Sequence, residues 1–283
     1  MRSFDRISPI LNKPAALQER IRQALHARAS RQPAVTEGLI DPSGASAVLF
    51  LLGCQCGQDG RSSDEPCLIL NKRSLKVRQP GDLCCPGGGI APRLDFLLAR
   101  LLSLPGTPLT RWEHWPSWRR GQTGSPKNLA LLFATGLREG FEEMRLNPFG
   151  VRLLGALPPE QLVMFRRVIY PLVCWVSHQR KFKANWEVEK VVYVPLSDLM
   201  NPANYARFHL QIEIADNGNE NRRVQDFPCF LPRSPGQTDR LWGATFRLTM
   251  QFLSLVFGFH PPDIATLPTI EGRLGENYLT GNG

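Results

Sequence analysis

One predicted helix, residues 126–146, constrains this chain more than any other stretch. Ser125 is a favourable N-cap, Pro126 suits the first helical position, and Asn147-Pro148 ends the helix. Between these limits, apolar residues recur at spacings of three and four, which predicts one apolar face. The residues of that face are Ala130, Phe133, Ala134, Leu137, Phe141 and Met144.

Three glutamates share one side of the last turns of this helix. Glu139, Glu142 and Glu143 stand at i, i+3 and i+4. Like charges at this spacing repel, and acids near a helix C-terminus oppose the helix dipole, so the pattern works against helix stability. A divalent cation would reverse that effect, because Mg²⁺ prefers carboxylate oxygens. The alternative is a solvated acidic face with Arg138 and Arg145 as local ion-pair partners.

A glycine-rich turn precedes this helix. Pro86-Gly87-Gly88-Gly89 follows the short apolar run 83–85, and glycines there permit a tight turn and leave backbone atoms open to a metal or a phosphate. A glycine turn followed by an Arg-Glu-x-x-Glu-Glu helix resembles the sequence box of the Nudix hydrolases. The Arg-Glu-x-x-Glu-Glu core is intact here, at Arg138, Glu139, Glu142 and Glu143.

The chain departs from that box in three ways. Gly140 stands at an aliphatic position, and Arg145 stands where the family has a late glycine. Asp95 lies six residues after Gly89, where the family has its early acid, but it is 43 positions before Arg138. An insertion over about 96–127 therefore interrupts the box, and whether Asp95 replaces the early acid stays open.

The insertion carries a tryptophan repeat. Trp112, Trp115 and Trp118 recur at a spacing of three in a segment rich in Pro, Gly and Arg. Both ends of the insertion join the box, so we expect it to fold over the substrate side. It is either a lid that holds a base and a phosphate or a plug that buries apolar area. Ahead of it, residues 92–102 predict a short helix with an apolar stripe: Leu94, Leu97, Leu98, Leu101 and Leu102.

A basic loop, residues 72–82, leads into the glycine turn. Arg binds phosphate in a bidentate manner, so this loop is a candidate phosphate site, and a solvated loop is the alternative. Its cations are Lys72, Arg73, Lys76 and Arg78. The segment 70–88 is similar to one that marks the coenzyme A diphosphatase branch of the Nudix family. Cys85 replaces its phenylalanine, and Gln79 or Pro80 its histidine.

Two more segments resemble the same branch. Residues 187–196 are similar to its Glu-Val…Val-Pro-Leu segment, and residues 241–245 to its Trp-Gly-x-Thr helix start. Together with segment 70–88 and the box helix, four motif segments occur in the expected order between about residues 45 and 257.

The resemblance implies an α/β fold, a Nudix-type α/β/α sandwich with a mixed sheet. Long apolar runs at 45–54 and 168–177 predict buried strands that suit this fold. An added N-terminal helix is predicted over Pro14–Arg31, with a stripe that includes Leu17, Ile21 and Leu25. We divide the chain into an N-terminal helix and linker (1–44), a Nudix hydrolase domain (45–257) and a C-terminal tail (258–283).

The function implied by the resemblance is metal-dependent hydrolysis of coenzyme A or acyl-coenzyme A to a 4′-phosphopantetheine and 3′,5′-ADP. The alternatives are hydrolysis of another nucleoside diphosphate derivative (ADP-ribose, a dinucleotide or a nucleotide sugar) and a Nudix-like module that binds nucleotides without cutting them. The implied ligands of Mg²⁺ or Mn²⁺ are Glu139, Glu142, Glu143 and the Gly87 carbonyl. The catalytic residues would be Glu187, Glu139 and Arg138, and the substrate-binding residues Arg73, Lys72, Arg78 and Gly88.

Composition narrows the partners. The 283 residues carry a formal charge of +9, which favours polyanions. No run of basic residues stands out, so we expect a phosphorylated small molecule rather than nucleic acid. No run of 18 apolar residues exists, so we expect no membrane span. Seven cysteines, an odd number, do not suggest a disulfide framework and favour a reducing cytoplasm. The sequence does not fix the oligomeric state, and a homodimer is left open.

Overall fold

The structure is a computed structural model that describes residues 10–35, 41–56, 62–121, 124–162, 167–177, 179, 181–216, 219–232, 239–274 and 278. Parts of the predicted N-terminal segment, its linker and the C-terminal tail lie outside these residues. The division of the chain at residues 44 and 257 stays a prediction.

A mixed sheet forms the centre of the described part of the chain. Strand β1 pairs in parallel with β7 and antiparallel with β2 and β4. Strand β2 also pairs with β3 and β8, and β7 with β5 and β6. The strands are β1 (Ala45–Cys56), β2 (Ser62–Arg73), β3 (Leu83–Cys84), β4 (Gly87–Gly89), β5 (Val151–Ala156), β6 (Glu160–Leu162), β7 (Arg167–Val176) and β8 (Val188–Pro195).

Helices and a second, smaller sheet complete the described elements. The helices are α1 (Pro14–Arg31), α2 (Pro92–Leu102), α3 (Trp115–Arg119), α4 (Pro126–Met144), α5 (Leu196–Leu199) and α6 (Gly243–Phe257). The second sheet has β9 (Tyr205–Asp216) between β10 (Asn219–Phe230) and β11 (Thr269–Leu274), with β11 parallel to β9. Strand β11 was not predicted from the sequence.

Alternation along β1 divides the interior into two cores. Val48, Phe50 and Leu52 belong to one core, which also holds most of the buried residues of α1 and α6. Ala47, Leu49 and Leu51 belong to the other, together with α4. Because successive strand residues point to opposite faces, the sheet lies between two helical layers. The predicted α/β fold, with a mixed sheet and an added N-terminal helix, is confirmed.

Helix α4 is buried on more sides than its predicted apolar face. Leu129, Leu131 and Leu132 are buried although they lie outside that face, and a Cβ on Gly136 would lie 2.6 Å from Leu49 Cδ2. Phe141 was predicted as part of the apolar face, but it is not buried with the rest of that face. Its side chain is 46% exposed and contacts the Arg145 guanidinium, 4.9 Å from the ring centroid.

Helix α2 forms over the predicted residues, but much of its apolar stripe faces outward. Leu94, Leu97 and Leu101 are about half exposed, whereas Asp95 and Ala99 are buried. A polar contact, rather than burial of the leucines, explains this orientation. Asp95 forms a buried ion pair with Arg138 of α4, and this pair sets the rotation of α2 about its axis.

The tryptophans of the insertion lie in the core that contains α4. Trp112, Trp115 and Trp118 are at most 5% exposed, and Trp112 packs against Trp118 with ring centroids 5.9 Å apart. This packing favours the plug over the lid. Of the helices in the described ranges, none combines the length and apolar character that crossing a membrane requires.

Replacing Trp118 tests the plug directly. We expect Trp118→Ala to lower the free energy of unfolding by about 3–5 kcal/mol, because removing a fully buried Trp leaves a large cavity. Leu97→Ala, at a position of α2 that is 55% exposed, is the control and should change the free energy of unfolding by less than about 0.5 kcal/mol. Denaturant titration measures both. Equal, small losses in the two variants would contradict a structural role for the insertion.

Candidate active site

Helix α4 and strand β4 bring the glutamates and the glycine turn together. Strand β4 pairs with β1, which sets Gly88 opposite Ala47. A Cβ on Gly88 would lie 2.4 Å from Glu139 Oε1, so the carboxylate of Glu139 lies directly against the backbone of Gly88. A Cβ on Gly87, whose φ is +151°, would lie 2.3 Å from the Ala47 carbonyl oxygen. Glycine is therefore required at both positions by close approach of neighbouring atoms.

Glu143 is the most buried of the three glutamates. It is 8% exposed, and its Oε2 accepts hydrogen bonds from Asn71 Nδ2 at 2.9 Å and from the Gly87 amide at 3.3 Å. Burial, helped by the nearby charge of Glu139, raises the pKa of Glu143 to about 8. Burial also raises the pKa of Glu139, although Arg138 opposes the shift. Two neighbouring acids that resist ionisation form a site where a cation would stabilise the charged forms.

Arg138 ties the glycine turn, α2 and α4 together. Its Nε donates to Asp95 Oδ1 at 2.7 Å, and its Nη2 donates to the Gly89 carbonyl at 3.0 Å. Thr135 Oγ1 donates to Asp95 Oδ2 at 2.9 Å, and Asp95 is fully buried. Asp95 therefore binds Arg138 across 43 positions of sequence.

Glu142 is the most exposed of the three glutamates, although it shares Arg138 with Glu139 as an ion-pair partner. Its Oε2 lies 3.0 Å from Arg138 Nη1, and its side chain is 50% exposed. It is absent from the wall of the cavity beside Glu139 and Glu143. The alternative of a solvated acid paired with Arg138 thus describes Glu142, whereas Glu139 and Glu143 are held against the sheet.

A cavity of about 440 Å³ lies beside Glu139 and Glu143, and it mixes acids with bases. Three of the four motif segments contribute to its wall. The box helix supplies the two glutamates, segment 70–88 supplies Arg73, Lys76 and Arg78, and segment 187–196 supplies Glu187. The wall therefore offers carboxylates that could bind a cation, and it also offers cations that could bind an anionic ligand.

The fourth motif segment supports the basic loop from outside. Trp242 Nε1 donates to Asp82 Oδ1 at 2.9 Å, and the Tyr278 hydroxyl donates to Asp82 Oδ2. Asp82 also accepts a backbone bond from Arg73 through its carbonyl, at 2.9 Å. Asp82, at the end of the loop that carries Arg73 and Arg78, is therefore held by hydrogen bonds from residues far along the chain.

Glu187 sits on a turn bound to both α4 and the basic loop. The Asn185 amide donates to the Glu143 carbonyl at 2.9 Å, and the Glu187 amide donates to Asn185 Oδ1 at 2.9 Å. The Glu187 carbonyl accepts from the Ser74 amide at 2.8 Å. These bonds fix the backbone of Glu187 relative to the two cavity glutamates.

Some sequence-predicted residues lie elsewhere. Lys72 is ion-paired with Glu189 at 3.0 Å and with buried Asp239 at 3.1 Å, and it is not part of the cavity wall. No described residue of the insertion lines the cavity either, so the expectation that the insertion folds over the substrate side is not supported. Its tryptophans pack into the core instead because they are large and apolar.

Asn71 is a site residue that sequence reasoning missed. It is 1% exposed, and besides its bond to Glu143 it has a buried Oδ1 atom without a hydrogen-bond partner. A buried polar atom left unsatisfied is costly, which is typical of a position that a ligand completes. The available signal was a polar residue that ends the apolar run 67–70 of a buried strand.

The donors in this cavity suit a hard cation. In the part of the chain that the structure describes, no three His, Cys, Asp or Glu side chains are already grouped to hold a metal. Glu139, Glu143 and the Asn71 Oδ1 atom nevertheless offer oxygen donors, which Mg²⁺ and Mn²⁺ prefer. Burial raises the pKa of the Cys84 thiol in the same wall to about 12, so that this soft ligand stays protonated.

Comparison with known proteins gives only remote similarities. No family model matches the sequence, and a search of curated proteins found no match. Among solved structures, the fold is similar to an Ap4A hydrolase from C. elegans, at 11% identity, over 55% of this chain and 83% of the other, with a TM-score of 0.33. A second similar structure is a MutT/nudix family protein from Enterococcus faecalis. It is 11% identical over 89% of this chain and 78% of the other, with a TM-score of 0.37. A third is the NUDIX domain of Shewanella oneidensis NrtR complexed with ADP ribose. It is 14% identical over 55% of this chain and 75% of the other, with a TM-score of 0.31.

The Asp95–Arg138 pair offers a direct test of the site's framework. Asp95→Asn keeps the side-chain shape but removes the buried charge, so we expect unfolding free energy to fall by about 3–5 kcal/mol. Glu142→Gln removes the half-exposed partner of the same arginine and should cost less than about 1 kcal/mol. Denaturant titration compares them. A loss for Glu142→Gln as large as that for Asp95→Asn would show that burial does not set the strength of these pairs.

Proposed function

We propose that this chain is a metal-dependent Nudix hydrolase that cleaves the diphosphate bond of a nucleoside diphosphate derivative. One observation supports the proposal above all others. Glu139, Glu143 and Glu187 share a single cavity with Arg73 and Arg78. The acids suit a cation and a proton acceptor, and the arginines suit phosphate oxygens.

The cavity residues divide the work between them. Arg73 and Arg78 bind phosphate oxygens, and the Arg73 Nε bond to the Arg78 carbonyl, 2.7 Å, holds the two side by side. Glu187 acts as the general base that removes a proton from water, held in place by its turn. Arg138 is a positioning residue, because its bonds to Asp95 and to the Gly89 carbonyl fix Glu139 against the glycine turn. Gly88 lines the cavity and, lacking a Cβ, lets the Glu139 carboxylate lie against the glycine turn, where its backbone would contact the substrate.

We propose Glu139 and Glu143 as the main protein ligands of Mg²⁺ or Mn²⁺, with the Gly87 carbonyl and Asn71 Oδ1 beside them. Glu142 is a further candidate that would first have to release Arg138. When bound, the metal offsets the charge of the diphosphate and lowers the pKa of bound water. The raised pKa of Glu143, about 8, is the reason to expect that metal binding competes with a proton there.

Coenzyme A or acyl-coenzyme A is the substrate that the four motif segments favour, with 4′-phosphopantetheine and 3′,5′-ADP as products. The basic loop supports this choice, because the 3′-phosphate of coenzyme A adds negative charge beyond the diphosphate. ADP-ribose, a dinucleotide or a nucleotide sugar is the second candidate, since Lys72 is already ion-paired and leaves fewer cations for an extra phosphate. A binding module without catalysis has less support, because the buried carboxylate of Glu143 and the partly buried carboxylate of Glu139 beside a phosphate site would weaken binding unless a metal is present.

The metal requirement follows from the paired acids. Glu139→Gln should lower kcat/KM on a panel of diphosphates assayed with Mg²⁺ by at least about a hundredfold, the scale of losing a strong electrostatic contact. Glu271→Gln, an exposed acid on β11, is the matched control and should behave like the wild type. Full turnover in excess chelator, or near-normal turnover by Glu139→Gln, would refute the catalytic proposal.

Substrate choice depends on the 3′-phosphate. Arg73→Ala should lower kcat/KM for coenzyme A more than for dephospho-coenzyme A, because the two differ only in that phosphate. A hydrogen bond between charged groups is worth about 1.5–3 kcal/mol, which corresponds to a difference of about ten- to a hundredfold. Arg120→Ala, an exposed cation outside the cavity, is the control. If both substrates lose equally, Arg73 binds the shared diphosphate. If the wild type prefers ADP-ribose or a dinucleotide, the coenzyme A proposal fails.

A further inference from the structure

Trp186 is the exposed member of the six tryptophans. Its side chain is 64% exposed, whereas Trp112, Trp115, Trp118 and Trp175 are at most 5% exposed and Trp242 is partly buried. Trp186 lines the same cavity as Glu139, Glu143 and the cations of the basic loop. A large aromatic surface thus stands in water at the wall of the candidate active site.

The backbone on either side of Trp186 is fixed. Asn185, just before it, donates through its amide to the Glu143 carbonyl of α4, and its carbonyl accepts from the Val188 amide at 3.4 Å. Glu187, just after it, is bound to Asn185 Oδ1 and to the Ser74 amide. The indole is therefore presented from a short turn whose position relative to Glu143 is set before any ligand arrives, which limits the entropy lost on binding.

We infer that Trp186 stacks on the nucleobase of a bound nucleoside diphosphate. The inference rests on the proposed function for its substrate class, and it adds a subsite. In the proposed function the cavity binds phosphate through Arg73 and Arg78, while Trp186, Val77 and Val188 contribute apolar side chains to its wall. A nucleotide carries a flat aromatic base one ribose away from its phosphates. An indole beside a phosphate site offers the matching surface, and stacking accepts any base because every base has a π-face.

The insertion does not compete for this role. Its three tryptophans were the sequence candidates for stacking on adenine, but they are buried in the core with α4 and none of them lines the cavity. Trp186 differs from them in both respects.

Binding measurements test the inference without requiring turnover. The affinities of ADP and of inorganic pyrophosphate are measured calorimetrically, with Mg²⁺ present, for the wild type, Trp186→Ala and Trp186→Phe. We expect Trp186→Ala to weaken ADP binding about tenfold, the scale of losing one stacked base, and to leave pyrophosphate within about twofold. Trp186→Phe keeps an aromatic ring and should retain ADP affinity within about threefold. ADP should also quench the tryptophan fluorescence of the wild type more than that of Trp186→Phe.

Leu75→Ala is the matched control. Leu75 is 71% exposed on the basic loop and is not part of the cavity wall, so its loss should leave both affinities unchanged. Thermal unfolding of all variants checks that each is folded. The inference is overturned if Trp186→Ala weakens ADP and pyrophosphate equally, if it weakens neither, or if the wild type does not bind ADP. An enzyme that binds ADP through Trp186 but hydrolyses no diphosphate would instead refute the hydrolase proposal alone.

Discussion

The buried ion pair between Asp95 and Arg138 is the contact on which the rest of the site depends. Asp95 is fully buried, and Arg138 satisfies it through two nitrogens while also binding the Gly89 carbonyl. An unpaired charge at this depth would be strongly unfavourable, so the two residues must meet whenever the chain folds. Their meeting fixes α2, the glycine turn and α4 as one unit. Glu139 and Glu143 then lie against β4 as a consequence.

Sequence periodicity predicted where elements lie better than which way they face. Helices α1 and α2 have their predicted limits, and α4 begins at Pro126 as its cap indicates. The orientation of α2 was not predictable from its leucines, because one buried carboxylate outweighs several half-exposed apolar side chains. Strand β11 escaped notice for a related reason. Its burial alternates between exposed and partly buried, and its pairing with β9 is a long-range contact that no local pattern reveals.

In the candidate site, too, local sequence patterns predicted some features and missed those that depend on long-range contacts. Charge patterns located Glu139, Glu143, Arg73 and Arg78, because ionisable residues in unusual local arrangements are visible in a sequence. The roles of Lys72 and Asn71 depend instead on partners far along the chain. Lys72 is neutralised by Asp239, 167 positions later, and Asn71 gains its place beside Glu143 from the register of β2. Neither contact can be predicted from a short-range sequence pattern, because both join residues that are far apart in the sequence.

The segment 96–127 costs less folding free energy than its length suggests. Loop-closure entropy grows with the logarithm of length, so the 43-position link from Asp95 to Arg138 costs only about 1.5 kcal/mol more to close than a link of about eight positions, if the added chain stays unstructured. Burying a single large apolar side chain contributes about 1.5–3 kcal/mol, and the insertion buries three tryptophans. Ordering the insertion has its own entropy cost, which this packing must offset. The buried tryptophans therefore help to keep Asp95 and Arg138 within reach of each other. The aromatic surface in the cavity wall comes instead from Trp186.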